Sequence, residues 1–198
     1  MKKITLFVLF VLACCNIYCQ EKQYDSRISN LEAFSNRKGT FILQESQNFK
    51  YFSEITDRLD FTCEVLTDLK TNEKKGGITL TIYFDNPTLT VCADEILVRN
   101  KFYIDFEEIE TLSSFFTYFK DNLYTTEPTV FTKMKFISTE STEYSIAYDP
   151  AQVKWWFKVS PYPYVNEFTY SLKKGTVDNL LTLLNQSKEI IIEKTKQK

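Results

Sequence analysis

The densest group of side chains that could do chemistry is a set of four carboxylates, Asp105, Glu107, Glu108 and Glu110. Such groups can act as a general acid and base, or can hold a metal ion. The same four residues stand where a helix is predicted to begin, and negative charge there complements the helix dipole. Asp105 and Glu108 also have the spacing of a capping box. The pattern therefore favours a helix start, and we predict no catalytic or metal-binding residue.

The composition excludes several common enzyme chemistries. The chain has no histidine, which removes Ser-His-Asp and Cys-His catalysis and zinc sites that use histidine. Its four glycines form neither a dinucleotide-binding fingerprint nor a phosphate-binding loop. We therefore expect no enzyme and no cofactor. A carboxylate-dependent hydrolase is the enzymatic alternative, and it would need two carboxylates facing each other about 5–9 Å apart.

Aromatic residues give the strongest candidate for a binding surface. In the segment 155–159 (Trp-Trp-Phe-Lys-Val), strand alternation sends the first, third and fifth side chains to one face, which is predicted to be core. Trp156 and Lys158 point to the other face. Together with Tyr162 and Tyr164 in the following loop, they form the candidate ligand or partner patch. The alternative is that Trp156 packs under a helix or under the Lys158 stem.

The chain opens with the pattern of a bacterial secretory signal peptide. Lys2 and Lys3 precede an apolar run over residues 4–12, small residues follow, and polar residues begin at Gln20. We predict that residues 1–19 are a signal peptide and that the protein is exported to the periplasm or outside the cell. The apolar run is shorter than the roughly 20 residues that a bilayer requires. No second long apolar run follows, so we expect no transmembrane span in the mature chain.

The form of the exported protein is open. Cleavage after Cys19 would release a soluble chain, which we favour. The segment 11–14 (Val-Leu-Ala-Cys) also resembles a lipobox, in which case Cys14 would be lipidated and would anchor the protein to the envelope. Mass spectrometry of the mature N-terminus would distinguish the two forms, because lipid adds mass.

The charge of the mature chain argues against polyanionic partners. The chain has 24 basic and 26 acidic residues, and the predicted signal peptide contains two of the lysines and no acid. The mature chain thus has 22 basic and 26 acidic residues, a net charge of −4. An acidic domain lacks the electrostatic footprint of a protein that binds nucleic acid or an anionic membrane. We expect an unknown protein or envelope component as partner, and no nucleic acid.

Two cysteines, Cys63 and Cys92, remain in the mature chain. Pairing is possible in an oxidising compartment, and two separate buried thiols are the alternative. If the strands around residues 61–69, 78–84 and 95–104 are neighbours in that order, the two cysteines lie about 9–10 Å apart. A disulfide needs Cα atoms within about 7 Å, so that strand order predicts no bond.

The order of apolar patterns predicts one α+β domain over residues 20–198. Strands are predicted near residues 40–43, 61–69, 78–84, 95–104, 130–137, 144–148, 155–159 and 168–170, and amphipathic helices follow Asp105 and Ser171. A polar loop, residues 70–77, joins two of the strands, and the tail from Glu193 is predicted to be loose. Residues 37–126 and 129–192 read as pseudo-repeats. Each would be a ββββα-like half of antiparallel strands, with its helix packed on the sheet.

The doubled pattern of four strands and a helix resembles the whirly and PUR-alpha-like architecture. More narrowly, three segments resemble a group of small secreted bacterial proteins: 31–34 (Leu-Glu-Ala-Phe), 38–40 (Lys-Gly-Thr) and 103–109 (Tyr-Ile-Asp-Phe-Glu-Glu-Ile). The resemblance covers most of the mature chain and implies the fold, but no particular activity. Whirly and PUR proteins bind single-stranded nucleic acid, and this chain differs from them in its acidic balance and predicted export.

These observations lead to a secreted, non-enzymatic binding or interaction module as the expected function. The alternatives are a lipid-anchored structural or accessory protein of the envelope, and the carboxylate-dependent hydrolase described above. No residue pattern identifies the ligand.

Overall fold

The structure of the protein is a computed structural model, which describes residues 28–49, 52–53, 57–84, 98–160, 168–173 and 175–196. The helices are α1 (Asn30–Ser35), α2 (Phe106–Asn122) and α3 (Thr176–Lys196). The strands are β1 (Ile42–Asn48), β2 (Phe52–Ser53), β3 (Asp57–Asp68), β4 (Lys74–Phe84), β5 (Val98–Asp105), β6 (Thr132–Ile137), β7 (Glu143–Asp149), β8 (Lys154–Ser160) and β9 (Phe168–Ser171).

The described strands form two antiparallel sheets. The first has the order β1-β3-β4-β5, with the short β2 also paired to β3, and α2 follows it in the chain. The second has the order β6-β7-β8-β9, and α3 follows it. This arrangement confirms the predicted α+β class and the internal repeat of two halves.

One apolar core joins the two halves. α2 packs on β4 and β5, while α3 crosses β3 and β4, so both long helices lie against the first sheet. Phe116 and Phe119 of α2 also make edge-to-face contacts with Phe157 and Trp155 of the second sheet, with ring centroids 5.5 and 4.9 Å apart. α2 therefore lies between the sheets.

The apolar residues of α3 face the core, as an amphipathic helix requires. Leu180, Leu183 and Leu184 are buried, and Leu181 is half-buried and packs against the same core. The helix also continues through the tail that was predicted to be loose. Lys194 forms an ion pair with Glu45 at 2.5 Å, and the Lys194 carbonyl accepts a hydrogen bond at 2.8 Å from a β4 lysine. These contacts hold the last turn on the first sheet.

Two predicted boundaries are also wrong. Ser171 is the last residue of β9, and the last helix begins at Thr176 rather than directly after Ser171. The Thr176 hydroxyl accepts the Lys173 N–H at 3.1 Å there. Gly76 and Gly77 lie in β4, not in the loop before it. A Cβ on Gly76 would stand 2.4 Å from Ile191 of α3, so the missing side chain gives that helix room to pack.

Candidate functional site

The candidate patch lies on the outer side of the second sheet, which we call the Trp156 face. Alternation along β8 buries Trp155, Phe157 and Val159 and leaves Trp156 and Lys158 half-buried, as predicted. The strand register adds residues of β6 and β7 beside them. Two rows cross the strands, one of Lys133, Ala147 and Trp156, and the next of Lys135, Ser145 and Lys158. The inner strand β7 thus contributes two small, buried residues, Ala147 and Ser145, between longer side chains.

Local contacts fix the basic side chains of this face. Glu143 forms ion pairs with Lys133 and Lys135, the latter at 3.7 Å. Lys154 Nζ lies 4.2 Å from the centroid of the Trp156 ring, at cation–π distance. The face therefore combines an aromatic side chain with lysines that Glu143 and the Trp156 ring hold in place.

Part of the predicted patch lies outside the described residues, namely Tyr162 and Tyr164, and so does the predicted lipidation site Cys14. The structure brings Trp156 and Lys158 together with two residues that sequence reasoning missed, Lys133 and Lys135. The signal for these two is the alternation in residues 132–136 (Thr-Lys-Met-Lys-Phe). It shows that the lysines share a face, but not that β6 lies two strands from β8.

The carboxylates before and within α2 have structural partners. The Asp105 carboxylate accepts hydrogen bonds from the N–H groups of Asn30 and Leu31 at 2.8 and 2.9 Å, and so caps α1. Glu108 accepts from the N–H of Asp105 at 3.2 Å. Glu110 pairs with Lys188 of α3 at 2.7 Å, and this bond holds the pKa of Glu110 below its usual range. Across the described ranges, no cluster of three potential ligands is placed to hold a metal ion.

Glu140, in the turn between β6 and β7, joins the two halves. Its carboxylate accepts the Tyr103 N–H at the open edge of β5 at 2.7 Å and the Thr142 hydroxyl at 3.1 Å. Desolvation raises the pKa of Glu140 from 4.5 to about 7, and the charges of Glu32 and Glu108 act in the same direction. This carboxyl is thus partly protonated near neutral pH.

We expect the domain to lose stability as pH rises from about 4.5 to about 7 because of Glu140. The pKa of Glu140 is higher in the folded state than in the unfolded state. Its contribution to stability is therefore complete below pH 4.5 and is lost as the pH rises to the folded-state pKa of about 7. The loss is at most about 3 kcal/mol. Urea titrations at pH 5 and pH 8 should show it for the natural chain and not for Glu140→Gln, which keeps an acceptor. An unchanged pH dependence in Glu140→Gln would contradict this assignment.

Cys63 is a free, buried thiol beneath α3. Its sulfur donates to the Ser187 carbonyl at 3.7 Å, and burial raises the pKa of Cys63 to about 11. The thiol is therefore protonated at neutral pH and is a poor nucleophile. Cys92 lies outside the described residues. The strand order β3-β4-β5 is the one on which the absence of a disulfide was predicted, and that absence stays a prediction.

An open polar groove of about 500 Å³ lies between α2 and α3. Ser113, Tyr118 and Asn185 contribute to its lining, and the Glu110–Lys188 ion pair connects its two helices. Small-molecule sites are mostly apolar and bury most of the ligand surface. This groove is open to solvent and is lined mainly by polar and charged residue types, so the Trp156 face is the better candidate site.

Comparison with known proteins finds similar solved structures, but no matching protein family and no matching curated sequence. Among solved structures, the chain is similar to MRP1/MRP2 of Trypanosoma brucei, with 14% identity, a TM-score of 0.35, and coverage of 81% of this chain and 93% of that one. It is also similar to WHY1 of Arabidopsis thaliana, with 11% identity, a TM-score of 0.35, and coverage of 77% of this chain and 86% of that one. For the plant transcriptional regulator PBF-2, the identity is 10%, the TM-score is 0.36, and the coverage is 77% of this chain and 84% of that one.

These likenesses carry no argument about function. The two sheets, each followed by a helix, agree with the duplicated architecture that the sequence resemblance implied. In the parts of the chain that the structure describes, no helix combines the length and apolar character needed to cross a membrane.

Proposed function

We propose that the protein is an exported, non-enzymatic binding module whose contact surface is the Trp156 face. The observation that carries this proposal is the position of Trp156, half-buried on a sheet face where its neighbours are lysines and small residues. Tryptophan is the residue type most enriched among the side chains that dominate binding energy. A half-buried tryptophan beside fixed cations is suited to a partner with apolar and anionic parts.

Lysine acetylation in the presence of partner tests the surface. The chain from Gln20 onward is labelled alone, with envelope membranes, and with the soluble envelope fraction. We expect protection of Lys133, Lys135, Lys154 and Lys158 by at least one fraction. Lys120 on α2 and Lys188 on α3 serve as controls. Each forms an ion pair with an N–O distance of 2.7 Å, and neither lies on this face. Protection of the controls alone, or of all six equally, would refute the proposal.

Trp156→Ala should weaken the same binding by about thirtyfold or more, because truncating a central aromatic anchor typically costs at least about 2 kcal/mol. The chain contains two tryptophans, and Trp155 faces the core. In Trp155→Phe, therefore, the indole fluorescence reports on the Trp156 face alone. A fluorescence change on binding in Trp155→Phe, and none in Trp156→Phe, is the expected pair of results. The reverse pair would contradict the proposal.

A further inference from the structure

Three large apolar side chains are exposed together at one end of the second sheet. Val130 and Phe131 immediately precede β6 and are 67% and 64% exposed, and Val153 immediately precedes β8 and is 62% exposed. β7 ends between these two strand starts, because Tyr148 pairs with Thr132 and with Trp155. We call these three residues the apolar rim. It adjoins the Trp156 face, since Lys133 and Lys154 each lie within two residues of it.

Val153 has a backbone conformation that a valine rarely adopts. Its φ is +51°, in the left-handed region where a β-branched side chain is strained. Among the described residues, the other positions with φ between +50° and +90° are Gly39, Asn72, Ser141 and Gly175, which are types that tolerate it better. Because the Val153 side chain is exposed, burial in the core does not offset this backbone strain. This side chain therefore indicates a use outside the fold.

Charge complementarity selects the partner. The Trp156 face has four lysines, Lys133, Lys135, Lys154 and Lys158. It has two acidic residues: Glu143, which pairs with Lys133 and Lys135, and Asp149, which lies opposite Lys154. The face is thus locally cationic although the chain is acidic. A purely polar polyanion, such as a nucleic acid or acidic polysaccharide, would be attracted by the lysines but would leave the rim in water. An anionic bilayer offers phosphates to the lysines and an apolar interior to the rim.

We propose that the apolar rim and the Trp156 face dock onto an anionic lipid bilayer surface. The rim enters the boundary between headgroups and acyl chains, the lysines approach the phosphates, and Trp156 lies at the interface, where indole rings are favoured. This inference rests on the proposed function, because it names the partner of the same face.

Vesicle co-sedimentation tests the proposed docking onto lipid. The chain from Gln20 onward is used, so that the apolar segment in residues 1–19 cannot contribute to lipid binding. Phosphatidylglycerol–phosphatidylcholine vesicles should bind the chain, and pure phosphatidylcholine should bind it at least about tenfold more weakly. Binding should weaken with added salt, as expected for exposed charges. Phe131→Ser should reduce binding about tenfold or more. Phe41→Ser is the matched control, because Phe41 is 71% exposed and immediately precedes β1 of the first sheet, and it should leave binding unchanged.

Lys133→Gln with Lys135→Gln should reduce binding to anionic vesicles, while Lys120→Gln with Lys188→Gln should not. Val153→Gly should raise resistance to urea and yet reduce vesicle binding, a pair of effects that a merely structural residue would not give. In Trp155→Phe, anionic vesicles carrying brominated acyl chains should quench the fluorescence of Trp156.

Several results would overturn the proposal. Equal binding by Phe131→Ser and Phe41→Ser would remove the rim from the contact. If the chain bound single-stranded DNA or dextran sulfate as tightly as anionic vesicles, and Phe131→Ser did not change that affinity, the face would be a polyanion-binding surface. That result would refute lipid as the partner but not the proposed binding function. If the chain were a dimer in the absence of lipid and Phe131→Ser made it a monomer, the apolar rim would be a dimer interface. Protection of the four lysines by the soluble envelope fraction but not by vesicles would refute lipid as the partner. Protection by neither envelope fraction and not by vesicles would refute both proposals.

Discussion

Phe116→Ala is expected to lower the free energy of unfolding by about 3–5 kcal/mol, the range for a fully buried phenylalanine. Phe116 is 1% exposed and lies in the middle of α2. Its ring contacts Phe115 edge-on at 5.3 Å and Phe157 of the second sheet at 5.5 Å. Alanine would leave a cavity between the sheets, and the two halves are too closely packed on the helix to collapse into it.

The matched control for this substitution lies on the same helix. Tyr118 is 57% exposed, and Tyr118→Ala should change stability by less than about 0.5 kcal/mol. Equilibrium unfolding in urea measures both variants. A loss below about 1 kcal/mol for Phe116→Ala would show that α2 does not bridge the sheets.

Gly77→Ala is expected to cost about 2–3 kcal/mol, because the new methyl group meets backbone that cannot move aside. A Cβ on Gly77 would stand 2.6 Å from the Ile104 carbonyl oxygen of β5 and 3.0 Å from the Leu31 side chain of α1. Relief would require β4 and β5 to separate where Gly77 pairs with Asp105, the residue that caps α1. The substitution should therefore also loosen α1.

The neighbouring glycine gives the comparison. The three atoms nearest to a Cβ on Gly76 all belong to the Ile191 side chain, so Gly76→Ala should cost less in an Ile191→Ala background than in the natural chain. Gly77→Ala should show no such rescue by Leu31→Ala. Rescue of Gly77→Ala to natural stability would mean that the Ile104 backbone does yield.

Sequence patterns predicted the long elements well and their exceptions poorly. The stripe through Leu112, Phe116 and Phe119 has helical spacing that only a core-facing helix explains, and all three are buried. Gly76 and Gly77 follow a polar run, and nothing in that composition distinguishes a loop from a strand with a close neighbour. The reason for these glycines is a contact with residues more than 25 positions away, which no local pattern contains.

The candidate site divides in the same way. Alternation along β8 correctly separated Trp156 from Trp155, because strand periodicity is local. Net charge predicted no attraction to anionic surfaces, yet it averages over all faces and conceals the lysines on β6 and β8. Val153 gave no signal at all, since its strain arises from the turn geometry between β7 and β8 and not from residue type.

The packing of α3 across the first sheet has a consequence for the order in which the chain folds. Cys63 and Ser187 are 124 positions apart and Glu45 and Lys194 are 149 apart, yet each pair is in contact. A chain released N-terminus first, from a ribosome or a translocation pore, completes both sheets before the helix that covers β3 and β4 emerges. Contacts over such separations form slowly, because loop closure must come before they contribute. Docking of α3 on β3 and β4 is therefore expected to be a late step of folding, after the strands of both sheets are available.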